Sequence, residues 1–295
     1  MKKFVLIALL FSFLVPLAQN TQKKPGPKKP NTAPSVSQSK QISNNHTQNL
    51  VTTLTHDTCL NRKFSIVFYV ILDSAGLPGQ ANPGAIAQFV DTLNNRFRRI
   101  CVKFESCSTV YISNHSYAEW YRPTTDTIVT SQWHTDKTIN IYLVDSIYQN
   151  FPYEVQGYTY LPPSSPTVTP KDNIVLEKWQ LLVNNCVISL HHIGHFFGLL
   201  HTHDEINPGL AAAPPPPPGV ASKEYVDGSN CLIHGDGLCD TEADPLGGAV
   251  ADGKGDFYLK PVDNYMSFSS NSCRFTQQQY NRMAYIMITA RRYLH

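Results

Sequence analysis

Residues 191–203 read HHIGHFFGLLHTH, and this stretch decides how the rest of the chain is interpreted. His191 and His195 are four residues apart, so on a helix both imidazoles project from one face about one turn apart. Gly198 can adopt the left-handed conformation that ends a helix, and the returning chain then brings in His201. Three histidine ligands leave the fourth corner of a tetrahedral site for water, as in catalytic zinc sites. The spacing therefore predicts a Zn²⁺ site of catalytic type.

A single histidine is more simply explained as a satisfied core residue. Histidines and a glycine at these fixed offsets are harder to explain in that way. The pattern His-x-x-x-His-x-x-Gly-x-x-His is the long ligand motif of metzincin zinc sites.

Strand patterns surround the histidine stretch. Residues 63–73 (KFSIVFYVILD) are dense in β-branched and aromatic side chains and predict a buried central strand. Residues 101–112, 138–145 and 172–177 predict further strands, and residues 157–163 a short edge segment. Because a helix separates the first two strands, the order predicts an α/β fold with a mostly parallel sheet.

Three helices are predicted. The first covers residues 83–100, with Asn82 as its N-cap. The second covers residues 179–198 and carries the histidines, and its apolar side is predicted to contain Leu182, Cys186, Leu190 and Phe197. Thr276 and Gln279 form a capping box that begins a C-terminal helix.

Residues 202–261 lack clear periodicity and are rich in Gly, Pro and Asp. The run Pro214–Pro218 predicts an exposed polyproline II segment. A loop insertion is the favoured interpretation, and a docking sequence for a proline-recognising partner is the alternative.

The N-terminal region is not expected to fold. Residues 1–20 combine two lysines with a short apolar run, which predicts a signal peptide and a secreted, extracellular or periplasmic protein. Residues 21–50 are rich in Pro, Lys and Ser and predict a disordered linker. Residues 51–295 are then the folded domain, and no apolar run is long enough to predict a membrane anchor.

The formal net charge of +2 conceals an acidic body. Residues 1–50 hold seven lysines and no acid, so 17 basic residues oppose 22 acidic ones in the remainder, a net charge of −5. Such a body argues against a nucleic-acid partner.

Seven cysteines follow residue 50. Export favours disulfides, and the odd count leaves at least one thiol without an internal partner. A structural zinc cluster of cysteines is the weaker alternative, because no Cys-x-x-Cys pair occurs.

Beyond the histidines, the chain resembles the pappalysin and cytophagalysin metzincin metallopeptidases of peptidase family M43. The resemblance rests on five blocks of sequence: HTH at 201–203, VDGSNC at 226–231, GDGLCDTEADP at 235–245, NYMS at 264–267 and CRFTQQQYNRM at 273–283. It implies an upper lobe with a twisted mixed sheet and helices, a zinc helix at the cleft, and an irregular lower lobe closed by a C-terminal helix.

The same resemblance implies roles for individual residues. Met266 corresponds to the methionine of the Met-turn beneath the zinc ligands. Cys231, Cys239 and Cys273 are implied as members of disulfides in the lower lobe. Some relatives also bind Ca²⁺, but the sequence has no run of alternating carboxylates to indicate such a site. An extended peptide or protein in the cleft is the implied partner.

The chain departs from the family at two positions. The family places a glutamate, the general base of peptide hydrolysis, directly after the first ligand, where this sequence has His192. Many relatives have a tyrosine two residues after the Met-turn methionine, where this sequence has Phe268. A lost general base costs about 10²- to 10⁴-fold in rate.

Two functions therefore remain open from the sequence. The favoured one is a zinc-binding pseudoprotease that holds peptides or partners while its hydrolysis is weak or lost. The alternative is an active zinc endopeptidase that uses His192 as an unusual general base.

Overall fold

The computed structural model describes residues 59–150, 153–163, 166, 172–182, 186–204, 206, 224–245, 251–269 and 271–294. The predicted signal peptide, the linker and the proline run lie outside the described residues. Among the described helices, none has the length and apolar character needed to span a bilayer.

A five-stranded mixed sheet forms the centre of the molecule, in the strand order β2-β1-β4-β8-β7. Neighbouring strands run parallel except β7, which is antiparallel to β8 and forms one edge. The strands of this sheet are β1 (Arg62–Ile71), β2 (Val102–Ile112), β4 (Ile139–Val144), β7 (Gly157–Thr159) and β8 (Asn173–Glu177). The predicted strands are confirmed.

Both faces of this sheet are covered, which explains why β1 is continuously apolar from Ile66 to Ile71. Phe64, Ile66 and Phe68 point into the core shared with the long helices. Val67 and Tyr69 point to the opposite face and into a second, smaller core.

The second core is closed by elements that the sequence did not predict. A three-stranded sheet has the order β3-β5-β6, and helix α2 packs against β3 and β5. These elements are β3 (Glu119–Tyr121), α2 (Arg122–Gln132), β5 (Ser146–Asn150) and β6 (Tyr153–Val155).

Helix α1 (Pro83–Phe97) follows its prediction closely. The side chain of Asn82 accepts a hydrogen bond from the amide of Ala85. Residues 98–100 continue as a 3₁₀ turn instead of α-helix, and Cys101 ends it in the left-handed conformation with φ 54°.

The histidine helix is shorter than predicted. Helix α3 spans Val187–Phe196, and Lys178–Leu181 form a separate 3₁₀ turn. Cys186 has φ 63° and redirects the chain before the helix begins, while its thiol donates to the carbonyl of Leu181. Leu182 was predicted on the apolar side of the helix, but it lies in the connection and is 42% exposed.

Between α3 and α4 (Gln277–Ile288) the described residues form turns and two isolated β-bridges. The predicted capping box of α4 is present, with Thr276 and Gln279 bonded reciprocally. Asp240 also caps this helix by accepting from the amide of Gln278 and the hydroxyl of Thr276. The predicted fold class, a mixed sheet with a histidine helix and an irregular region closed by a C-terminal helix, is confirmed.

Two disulfides are present. Cys59 pairs with Cys101, and Cys231 pairs with Cys239 within the irregular region. Cys273 was expected in a bridge, but its thiol is free and exposed because Cys231 and Cys239 pair with each other. The other unpaired thiols, Cys107 and Cys186, are exposed and buried respectively.

Candidate metal centre

Helix α3 and the turn after it bring three imidazoles together. The Nε2 atoms of His195 and His191 are 3.0 Å apart, and those of His195 and His201 are 3.1 Å apart. All three side chains are buried. The predicted ligand residues therefore converge on one point.

Gly198 makes this convergence possible. Its φ is 87°, in the left-handed region, and its amide donates to the carbonyl of His195. A Cβ at this position would lie 2.8 Å from Cγ1 of Ile286 in α4. Both the backbone conformation and the packing therefore require glycine, which agrees with its predicted role in the turn towards His201.

Each imidazole is held by a hydrogen bond at its other nitrogen. Nδ1 of His191 lies 2.7 Å from the carbonyl oxygen of Tyr265, and Nδ1 of His195 lies 2.8 Å from that of Leu199. Nδ1 of His201 lies 3.0 Å from a carboxylate oxygen of Asp204, which also accepts from the His201 amide. Because each Nδ1 must donate its proton to an oxygen, each Nε2 presents a lone pair.

Three lone pairs facing one another repel unless a cation lies between them. Two corners of a tetrahedral zinc site with Zn–N bonds of about 2.0–2.1 Å are about 3.3 Å apart, close to the observed separations. Burial, followed by the neighbouring imidazoles, lowers the pKa of His191 and His195 well below the usual value, so both are neutral and able to coordinate. The donor set fits zinc.

Asp204 is a residue that the sequence analysis did not select. A carboxylate that accepts from the Nδ1 of a metal-binding histidine fixes the orientation and tautomer of that ring. We expect Asp204→Asn to weaken zinc affinity about 10- to 100-fold, since an amide is a poorer acceptor for His201. Competition with a zinc chelator of known affinity measures this loss, and an unchanged affinity would show that Asp204 does not support the ligand.

Met266 lies directly under the histidine helix and is fully buried. A Cβ on Gly194 would lie 2.6 Å from its sulfur, so the methionine packs against the helix backbone. The carbonyl of Met266 accepts from the amide of Thr202, next to His201. The side chain of Asn264 holds the turn by accepting from the Met266 amide and by pairing with Gln279. Met266 therefore lies beneath the helix that carries His191 and His195, and its assignment as the Met-turn methionine stays a prediction.

His192 is beside the cluster and outside it. Its ring centroid is 5.2 Å from that of His191 and 6.1 Å from that of His195. The edge of the ring carrying Cδ2 and Nε2 packs against Gly157 of β7, where a Cβ would come within 2.6 Å of Cδ2. Its Nδ1 is buried without a hydrogen-bond partner among the described residues. Burial, and to a smaller extent the charge of His201, lowers the pKa of His192 to about 3.

Phe268 lies beside the third histidine of the cluster. Its ring centroid is 4.9 Å from that of His201 and 4.4 Å from that of His203. The ring of His203 stacks on His201 at 4.8 Å. The structure therefore places Phe268 near the site, as expected from the sequence, and adds His203 as an aromatic neighbour of the third ligand.

The metzincin class of zinc metallopeptidases is defined by three features. These are a helix with two histidines, a glycine turn that leads to a third histidine, and a methionine beneath them. Residues 123–288, more than half of the chain, match the family model Peptidase_M43, described as pregnancy-associated plasma protein-A. The protein belongs to this peptidase family.

Similar proteins agree with the assignment. An extracellular metalloprotease of Pyricularia oryzae is 26% identical over 229 residues, which are 74% of this chain and 72% of that protein. Mirolysin in complex with compound 9 superposes with a TM-score of 0.54 at 16% identity, covering 81% of this chain and 96% of mirolysin. Mature mirolysin of Tannerella forsythia with a cleaved peptide gives a TM-score of 0.52, also at 16% identity, over 80% and 95% of the two chains. The mirolysin structures support the fold.

Proposed function

We propose that this protein is a secreted zinc-binding member of the M43 family that holds extended peptides in its cleft, with peptide hydrolysis weak or lost. His191, His195 and His201 would hold the zinc ion. The proposal depends on the residue that follows His191. This residue is His192, whose imidazole is buried and packs against β7.

Peptide hydrolysis needs a group that takes a proton from the attacking water and delivers one to the leaving nitrogen. When bound, zinc would lower the pKa of its water to about 7 and would act as a Lewis acid on the peptide carbonyl. The chain must supply the proton carrier. Family members use a glutamate there, and this chain has none at that position.

Asp204 does not replace the missing glutamate. Among the described residues it is the carboxylate grouped with the histidines. It binds the Nδ1 side of His201, whereas the Nε2 side faces the other ligands. Asp204 therefore lies on the far side of the ring from the metal position and serves to orient His201.

The packing of His192 also argues against its service as a base. A base must have a ring nitrogen within hydrogen-bond reach of the water or substrate. Here the Nε2 edge is against the backbone of Gly157, and a methyl group at that position would come within 2.7 Å of Nε2. The ring is 2% exposed. These contacts support the pseudoprotease over the active endopeptidase.

Peptide binding is supported by the sheet topology. β7 is the last strand of the five-stranded sheet, and its Gly157 contacts His192 beside the ligands. An extended peptide that adds to such an edge as a further strand would pass the histidine cluster. Mirolysin, which shares the fold, is known with a cleaved peptide bound.

We also propose that residues 1–20 are a signal peptide, residues 21–50 a disordered linker and residues 51–295 the peptidase-like domain. The extracellular relative supports export of this chain.

The zinc part of the proposal is tested by metal analysis. The purified protein is expected to hold about one zinc ion per chain, and His195→Ala to lose it, because two imidazoles alone form a weak site. His115→Ala, which removes a histidine that is not among the cluster ligands, is the matched control. Unchanged zinc content in His195→Ala would contradict the site.

The peptide part needs binding and cleavage measured together. Zinc-loaded protein is incubated with a degenerate peptide library, and retained peptides and new termini are both quantified by mass spectrometry. We expect peptides to be retained and few new termini to form. Rapid zinc-dependent cleavage by the unaltered protein would refute the pseudoprotease and support His192 as a base.

A further inference from the structure

A second polar concavity lies between the end of α1 and the start of α4. It has a volume of about 640 Å³ and none of its lining residues belongs to the histidine cluster. Its lining includes four arginines, here called the arginine pocket: Arg96, Arg98, Arg99 and Arg274. Cys273, the unpaired exposed cysteine, also lines it.

The charge of this pocket contrasts with that of the body. Residues 51–295 carry a net charge of −5, yet four guanidinium groups converge on one concavity. Arg274 is paired with Asp263 at 2.7 Å and Glu242 at 2.8 Å. Among the described residues that line the pocket, none is acidic.

Helix capping explains only part of this arrangement. Cations near the C-terminal end of a helix stabilise its dipole, which accounts for an arginine in the last turn of α1. Arg274, across the concavity just before α4, is held there by its two ion pairs with Asp263 and Glu242.

Arg96 lines the pocket and packs on Tyr265, which does not line it. Nε of Arg96 is buried without a hydrogen-bond partner in the described part of the chain, and so is the hydroxyl of Tyr265. The Arg96 guanidinium is 5.9 Å from the Tyr265 ring centroid. Neither of the two buried atoms is accessible from the pocket, and Tyr265 is not among the residues that line it. The contact with the Tyr265 ring restricts the Arg96 side chain at the edge of the pocket.

We propose that the arginine pocket binds a ligand bearing several oxyanion groups, either sulfate or phosphate. Guanidinium groups match the geometry of these oxyanions and bind them through paired N–H donors. The volume is in the range of small-molecule sites and exceeds the need of a single ion. This site is independent of the proposed zinc function, since it shares no ligand residue with it.

Cys273 offers a direct test on the unaltered protein, because Cys107 is a second exposed free thiol that does not line the pocket. Each thiol is alkylated with anionic iodoacetate and with neutral iodoacetamide, and the rates are measured by mass spectrometry. The ratio of the two rates is expected to be about tenfold or more higher at Cys273, because a positive pocket concentrates anions. Pyrophosphate or a sulfated disaccharide should slow alkylation of Cys273 about tenfold and leave Cys107 unchanged.

Variants then connect the effect to the arginines. Arg98→Gln combined with Arg99→Gln changes exposed side chains and should weaken pyrophosphate or sulfated-disaccharide protection about 10- to 100-fold. Arg292→Gln, an exposed arginine outside the pocket, should leave the protection unchanged.

The two probes distinguish the ligand sources. Tighter protection by the disaccharide identifies a sulfated sugar, and tighter protection by pyrophosphate identifies a phosphate compound. Equal rate ratios at Cys273 and Cys107, with no protection by either probe, would overturn the proposal.

Discussion

His192→Glu is expected to raise the peptidase activity of the zinc-loaded protein by about 10²- to 10⁴-fold, the contribution of a positioned general base. The three clustered histidines, their hydrogen-bond partners and the buried Met266 are all present. Under the proposed function, the substitution adds the general base that proton transfer needs. Initial rates on a quenched fluorescent peptide, measured at equal zinc occupancy, give the ratio.

Two controls make the result specific. His192→Gln has nearly the shape of His192→Glu but no carboxylate, so it should stay at the level of the unaltered protein. His192→Glu combined with His195→Ala should lose the gained activity, which ties the gain to the metal centre. If the unaltered protein cleaves the peptide rapidly and His192→Glu lowers the rate, His192 is a working base.

Phe268→Tyr is expected to add a smaller gain, and only in the His192→Glu background. Many relatives have a tyrosine at this position, and the ring that would carry the hydroxyl has its centroid 4.9 Å from that of His201. Stabilising a developing charge has little effect while the proton cannot move. An equal gain in the unaltered background would contradict this order of effects.

Local signals made much of the fold predictable. The caps of α1 and α4 were visible because Asn82, Thr276 and Gln279 bond to backbone groups within one turn. β1 was visible because both of its faces are buried from Ile66 to Ile71, which makes that part of the strand continuously apolar. The histidine spacing likewise reflects the geometry of one helix and one turn.

Other features depend on distant contacts and gave weak signals. Helix α2 is polar, with the sequence RPTTDTIVTSQ, and Pro123 in its first turn was the available hint. The start of α3 depends on the left-handed Cys186, which no pattern in the sequence marks. Gly194 was a usable signal, because glycine inside a helix costs about 1 kcal/mol relative to alanine. The structure explains it by the close approach of Met266.

Replacement of Arg291 is expected to cause a large loss of stability. Its side chain is fully buried and donates to Asp172 at 2.5 Å, to the Phe196 carbonyl at 2.6 Å and to the Tyr160 carbonyl at 3.1 Å. Phe196 is the last residue of α3, so this arginine joins the C-terminal segment to the end of the histidine helix. Such a cation also stabilises the negative end of a helix dipole.

Arg291→Met keeps most of the side-chain volume but leaves the carboxylate of Asp172 buried without its counter-charge. We expect a loss of about 3–5 kcal/mol in the free energy of unfolding, measured by urea denaturation of the zinc-free protein. Arg292→Met, at the exposed neighbouring position, should change it by less than about 0.5 kcal/mol. Adding Asp172→Asn to Arg291→Met should recover part of the loss, because the orphaned charge is then removed. The hydroxyl of Tyr293 also donates to Asp172. A loss below about 1 kcal/mol in Arg291→Met would mean that this hydrogen bond and water are sufficient for Asp172, and that Arg291 does not hold the end of α3 in place.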